Sequence, residues 1–193
     1  MATKVRPPTP SADARHPMPV RVDQLCPDFR VLDRWRVPVD CTRAEFPHFV
    51  RMFAARGFST DSRLTRALFR IRFALGRALG WDAGPPQPIP GCTETTVAAR
   101  LTERGLPLAA SPPVTPIYLF DDEALFEIAN KTVHALLHLS WQDGEVIMSV
   151  RVKSRGWYST AYLAAIKPFR HAVVYPALLR SVARAWIDTR TNL

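Results

Sequence analysis

Hydrophobic and polar positions along this chain follow two different periods. From Ile117 onward the pattern alternates every second residue, which predicts four antiparallel strands at Ile117–Phe120, Ala124–Ala129, Thr132–Gln142 and Glu145–Lys153. Asp121-Asp122, Asn130-Lys131 and Asp143-Gly144 supply the turns between them. In the third strand Val133, Ala135, Leu137, Leu139 and Trp141 face one way, and Thr132, His134, Leu136, His138 and Ser140 the other. In the fourth, Val146, Met148, Val150 and Val152 alternate with Ile147, Ser149, Arg151 and Lys153. One face of the sheet is therefore apolar and the other mostly polar, as when a single helical layer covers one side.

Upstream, a strand is expected at about residues 30–37, with Val31, Trp35 and Val37 on one parity and Arg34 and Arg36 on the other. Cys41 or Thr42 can cap a helix that starts near Phe46, places Pro47 in its first turn and closes at Gly57. A second helix over about 62–79 carries Leu64, Leu68, Ile71, Leu75 and Leu79 as one stripe, with its arginines largely outside it. Two proline-rich stretches, within about 82–116, flank a short helix running from Thr95 or Thr96 to about Glu103 and stopped by Gly105. They predict a surface excursion, not a domain boundary.

After the strands comes the longest apolar, helix-compatible run, Gly156 to Trp186. Tyr162, Ile166, Phe169, Val173, Pro176, Leu178 or Leu179, Ala183 and Trp186 trace its stripe. Pro168 suits the first turn of a helix reaching about Asp188, and Pro176 should distort its axis. The predicted fold class is thus α+β. An antiparallel sheet packs on a long C-terminal helix, with two helices after the first strand. Residues 1–24 are expected to be a disordered, proline-rich tail, and 25–193 a single domain.

Composition narrows the function classes. With 47% hydrophobic and 22% charged residues among 193, the chain has the make-up of a soluble globular protein. No apolar run is long enough for a transmembrane helix, and the first residues lack the apolar core of a secretory signal. Three widely spaced cysteines, Cys26, Cys41 and Cys92, suggest free thiols in a reducing, cytoplasmic setting. The net charge of +9 is uneven: +6 over residues 41–80, −5 over 81–130 and +6 over 131–193. Since 22 of the 26 basic residues are arginine, coding bias explains the charge better than nucleic-acid binding does.

The segment Glu127-Ile128-Ala129-Asn130-Lys131-Thr132-Val133-His134-Ala135-Leu136-Leu137-His138-Leu139 is followed by Tyr162-Leu163-Ala164-Ala165-Ile166-Lys167-Pro168-Phe169-Arg170-His171 and Val174-Tyr175-Pro176. Together these resemble a bacterial family of unknown function, found alone or fused to short-chain reductase-like proteins. That family in turn resembles a branch of the START-like helix-grip superfamily (SRPBCC), which includes the Bet v 1 allergens and the polyketide cyclases. The resemblance implies a helix-grip fold, in which a curved antiparallel sheet grips the long C-terminal helix with an apolar cavity between them. It implies no catalytic residue, and fold alone does not choose between binding and catalysis.

Candidate chemistry is sparse. His134 and His138 lie roughly 13 Å apart along one strand at ~3.3 Å per residue, too far for one metal, and their parity predicts outward-facing polar side chains. Glu127 is expected to be exposed for the same reason. No metal site and no cofactor are expected. A small apolar or amphipathic ligand is the expected partner, with Val133, Leu137, Trp141, Met148, Val150, Tyr162, Ile166, Phe169 and Val173 as its lining. Tyr158 and Tyr175 are further hydroxyls that could orient it. The alternative is acid–base chemistry such as cyclisation, dehydration or isomerisation, using Tyr162, Arg170 or His171. A third reading is an interaction module with basic helical surfaces. Oligomeric state is left open by the sequence.

Overall fold

Period-two segments pair into an open, curved antiparallel sheet whose six strands run in the order β1-β2-β6-β5-β4-β3. In the computed structural model the described residues are 8–10, 20–56, 88–109, 114–129, 133–154, 160 and 163–191. In chain order the elements are β1 (Thr9–Pro10), α1 (Arg21–Leu25), β2 (Arg30–Val37), α2 (Phe46–Arg56) and a 3-10 turn (Val97–Arg100). There follow β3 (Thr115–Leu119), β4 (Glu123–Ala129), β5 (Val133–Gln142) and β6 (Glu145–Ser154). A helical rod then closes the chain: α3 (Lys167–Phe169), a π-helical turn (Arg170–Val174) and α4 (Tyr175–Thr191). The expected helix over 62–79, the Asn130-Lys131 turn, Tyr158 and Tyr162 lie outside the described residues, as does the side chain of Val133.

Local signals account for several boundaries. Asp143 and Gly144 both have positive φ, 50° and 83°, which the two-residue turn between β5 and β6 requires. Thr42 and Glu45 form a reciprocal capping box before α2: Glu45 Oε2 accepts from the Thr42 amide at 2.9 Å, and Thr42 Oγ1 from the Glu45 amide at 3.3 Å. The helix then buries Phe46, Phe49, Val50, Phe53 and Ala54.

On one face of the sheet, Trp35, Phe126, Leu137, Leu139, Val146 and Met148 pack under α2 and α4, where Leu178, Leu179, Val182 and Trp186 meet them. The opposite face is not open, contrary to the single-layer expectation. Val20, Val22, Cys26, Phe29, Ile89 and Val97 cover Ile117, Tyr118, Leu125 and Leu136 there. This cover comes as single residues from α1, the 3-10 turn and loops, elements too short to display a period. It also draws Arg21–Leu25, expected in the tail, into a helix with Val22 fully buried, and Thr9–Pro10 pairs with the edge of β2. The helix expected up to Glu103 ends at Arg100, and the chain beyond it bridges at Gly105 to Leu119 of β3.

Two corrections of register matter for the site. Between Val31 and Asp33 the β2–β6 ladder slips by one residue. Val31 pairs with Arg151 and is 40% exposed, whereas Asp33 pairs with Val150 and Trp35 with Met148 on the helix-covered face. Val31 and Trp35 therefore do not share a face, because a bulge reverses parity. In the rod, the core stripe begins only at Tyr175; Ile166 and Val173 are half-buried and Phe169 is 56% exposed. Pro176 has no N–H to give the carbonyl four residues back, and the Tyr175 amide bonds Arg170 instead. The extra residue turns everything upstream by about 100°, one residue's rotation in an α-helix.

Candidate functional site

The bulge in β2 and the π-helical turn meet at one carboxylate. Asp33 sits on the apolar sheet face with its side chain 1% exposed. Its Oδ2 accepts from the Tyr175 hydroxyl at 2.8 Å and from Arg170 Nε at 3.0 Å, and its Oδ1 lies 2.6 Å from His171 Nε2. The π-helical turn makes this convergence possible. Residues five apart, such as 170 and 175, diverge on an α-helix but fall near one another where the turn widens.

The Trp35 ring backs the cluster, 5.5 Å from the His171 ring and 5.3 Å from that of Tyr175. Arg170 is held further by Nη1 on the Leu163 carbonyl at 2.9 Å. Burial, reinforced by the Asp33 charge, pushes the Tyr175 phenol well above its ordinary range, so it stays protonated and donates. The His171 side chain is 34% exposed and gives the cluster an edge on solvent. Chemically, this is an imidazole oriented by a buried carboxylate, beside a guanidinium and a phenol.

Of the residues expected from sequence, Arg170, His171 and Tyr175 come together here, while Tyr162 lies outside the described residues. Leu137 and Met148 are buried in the core on the same sheet face. Trp141 is half-buried, with its indole donating to the Cys41 carbonyl at 2.8 Å, and Val150 is half-buried beside Asp33 in register. Phe169 stands at the surface. Asp33, the residue all the others meet, was missed. An aspartate on the parity of Trp35 and Val37 was the signal that could have found it.

A second polar network lies on the opposite face, and it overturns the outward-facing reading of the histidines. His134 and His138 are fully buried, and Glu127 is 5% exposed. Parity was read correctly; the second covering layer buries it. Glu123 accepts from the amides of Arg21 and Val22, from the Tyr118 hydroxyl at 2.6 Å and from His138 Nε2 at 2.9 Å. Glu127 accepts from the Thr96 hydroxyl, from the Val97 amide at 2.8 Å and from His134 Nε2 at 2.6 Å. Each glutamate thus ties the start of a covering element, α1 or the 3-10 turn, to a histidine on β5.

Burial works against the charge on Glu123, but the His138 bond and the other donors outweigh it and bring the carboxyl down to about 2. Burial also lowers His138, against the pull of Glu123. A neutral imidazole satisfies the geometry, with Nε2–H donating to Glu123 and Nδ1 accepting from Ser149 at 3.1 Å. This network is architecture: every oxygen of the two glutamates is engaged in holding the layer down.

Fold and site together define an α+β protein of helix-grip form, with a polar cluster where the gripped helix crosses the first long strand. Residues 25–177 match a family described as a protein of unknown function (DUF2867), and the chain belongs to that family. No curated protein and no solved structure matches it. Among the described residues no helix is long and apolar enough to cross a membrane.

Proposed function

We propose that this protein binds a small apolar or amphipathic molecule between its sheet and its C-terminal helix, with the molecule's polar end beside the cluster of donors gathered around Asp33. The observation that carries this reading is the break in helix regularity directly over a buried carboxylate. A rod that only closed a core would gain from continuous α-geometry and from leucines facing the sheet. Here the helix instead widens and sets Arg170, His171 and Tyr175 on one acid in an otherwise apolar interface, the arrangement of a greasy pocket with a few orienting groups. The START-like resemblance of the sequence favours the same location.

Native mass spectrometry of the freshly purified protein tests this reading. A co-purified small molecule, lost on denaturation, is the expected result. A mass matching the bare chain, together with no binding of any apolar probe, counts against it.

Acid–base catalysis is the second reading, favoured by the 2.6 Å contact between His171 and Asp33, which orients a half-exposed imidazole as a general base requires. Under it, His171→Gln keeps ligand affinity and abolishes turnover of whatever ligand the spectrometry identifies. Of the basic helical surfaces of the interaction-module reading, the helix over 62–79 lies outside the described residues, while α2 and the C-terminal rod are described. Cytoplasmic residence is proposed on the free state of Cys26, Cys41 and Cys92.

A further inference from the structure

The Asp33 cluster leaves two buried donors over. Arg170 uses Nε on Asp33 and Nη1 on the Leu163 carbonyl, and among the described residues its Nη2 has no hydrogen-bond partner. The cause is geometric. A guanidinium pairs two-pronged with a carboxylate when both oxygens are available, and Asp33 Oδ1 is taken by His171.

The other donor is the indole Nε1 of Trp35, a residue 2% exposed, which also has no hydrogen-bond partner among the described residues. Trp141 and Trp186 show what buried indoles do elsewhere in this fold. Each donates to a backbone carbonyl at 2.8 Å, of Cys41 and Asp40 respectively. An indole N–H can only donate, and buried donors are satisfied in nearly all folded proteins. Trp35 packs on His171 and Tyr175, so both leftover donors belong to side chains gathered at one place.

Resting on the ligand-binding reading above, we propose that the bound molecule ends in an acceptor oxygen, a carboxylate or a ketone, received by Trp35 Nε1 and Arg170 Nη2. Both groups are pure donors, and one carries a full positive charge. Asp33 already accepts three bonds and does not compete for the role. A head group that can only donate, such as an ammonium, would face those two donors beside a carboxylate that already holds three.

The test titrates the full chain calorimetrically with decanoate, 2-decanone and decylammonium, with the apolar dye N-phenyl-1-naphthylamine as a reporter of the pocket itself. Decanoate and 2-decanone bind and decylammonium does not. Trp35→Phe, checked for folding by circular dichroism, weakens the two oxygenated probes about tenfold relative to the dye, the effect of one buried hydrogen bond. Without any substitution, the Trp35 indole proton resonance moves downfield when decanoate is added. Decylammonium binding as tightly as decanoate overturns the proposal. So does an unmoved indole resonance with decanoate bound. In either case dye binding leaves the pocket reading standing. If neither dye nor any probe binds, the ligand-binding reading falls and takes this proposal with it.

Discussion

Glu123 shows how much one buried acid can hold. Four donors converge on it from three parts of the chain: two amides of α1, Tyr118 of β3 and His138 of β5. Removing the carboxylate strands all four donors, three of them in buried bonds, so Glu123→Ala should destabilise the fold by about 3–5 kcal/mol, the range for breaking a buried charged network. Urea unfolding measures it, and Glu123→Gln should recover only part, since an amide accepts through one of its two heads. A loss below about 1 kcal/mol would show that the second layer is not anchored there. Glu123 has no expected role in the sequence, lying between the Asp121-Asp122 turn and a strand expected from Ala124. Neither its depth nor its partners could be read locally, because the nearest donors, apart from Tyr118, lie over a dozen residues away.

At the scale of elements, close backbone approach is tested at Gly105. Its φ is +67°, and a Cβ there would sit 2.0 Å from the Leu119 carbonyl oxygen, which already accepts from the Leu106 amide. Gly105→Ala combines left-handed strain with a clash against backbone and should cost about 3 kcal/mol. Gly144 is the control. With φ +83° and nothing within 4 Å of its Cβ position, Gly144→Ala should cost about 1 kcal/mol, from strain alone. Equal thermal shifts for the two variants would contradict the contact with β3. Sequence marked Gly105 as a helix stop, yet the helix ends at Arg100 and the glycine serves a strand edge instead. The strands themselves were legible, since alternation and the Asp143-Gly144 turn both depend on neighbours in sequence. Bulges at Val31/Asp33 and Pro116/Tyr118 were not, because they are properties of a pairing between strands.

For the molecule as a whole, the acid limb of stability follows from groups on the outer face. Glu123 falls to about 2 from an ordinary 4.5, while Glu127 and Asp28 are also lowered. In each, burial opposes the shift and hydrogen bonds overcome it: His134, Thr96 and the Val97 amide act on Glu127, and Arg100 and Lys153 on Asp28. His138 is lowered from 6.5 by burial. All four therefore bind protons more readily unfolded than folded, so stability rises with pH through their range. It should be full above about 6.5, begin to fall there as unfolded His138 protonates, and fall more steeply from 4.5 towards 2. Melting temperatures between pH 8 and pH 3 check this, and a flat profile across pH 6.5 to 4 would contradict it.

Periodicity, turn residues and caps by themselves determined the α+β class, the meander of four strands, β2, the start of α2 and the final helix. Each of these depends on contacts within a few residues, which a linear pattern records. Only the tertiary structure decided that the polar sheet face is covered, and that His134, His138 and Glu127 are buried beneath that cover. It likewise decided that Phe169 leaves the core stripe and that Asp33 collects Arg170, His171 and Tyr175. The physical reason is the same in each case. Burial and hydrogen-bond partnership depend on what packs across from a residue, and here partners arrive from 30 positions away, as at Glu127, to 137, as at Asp33.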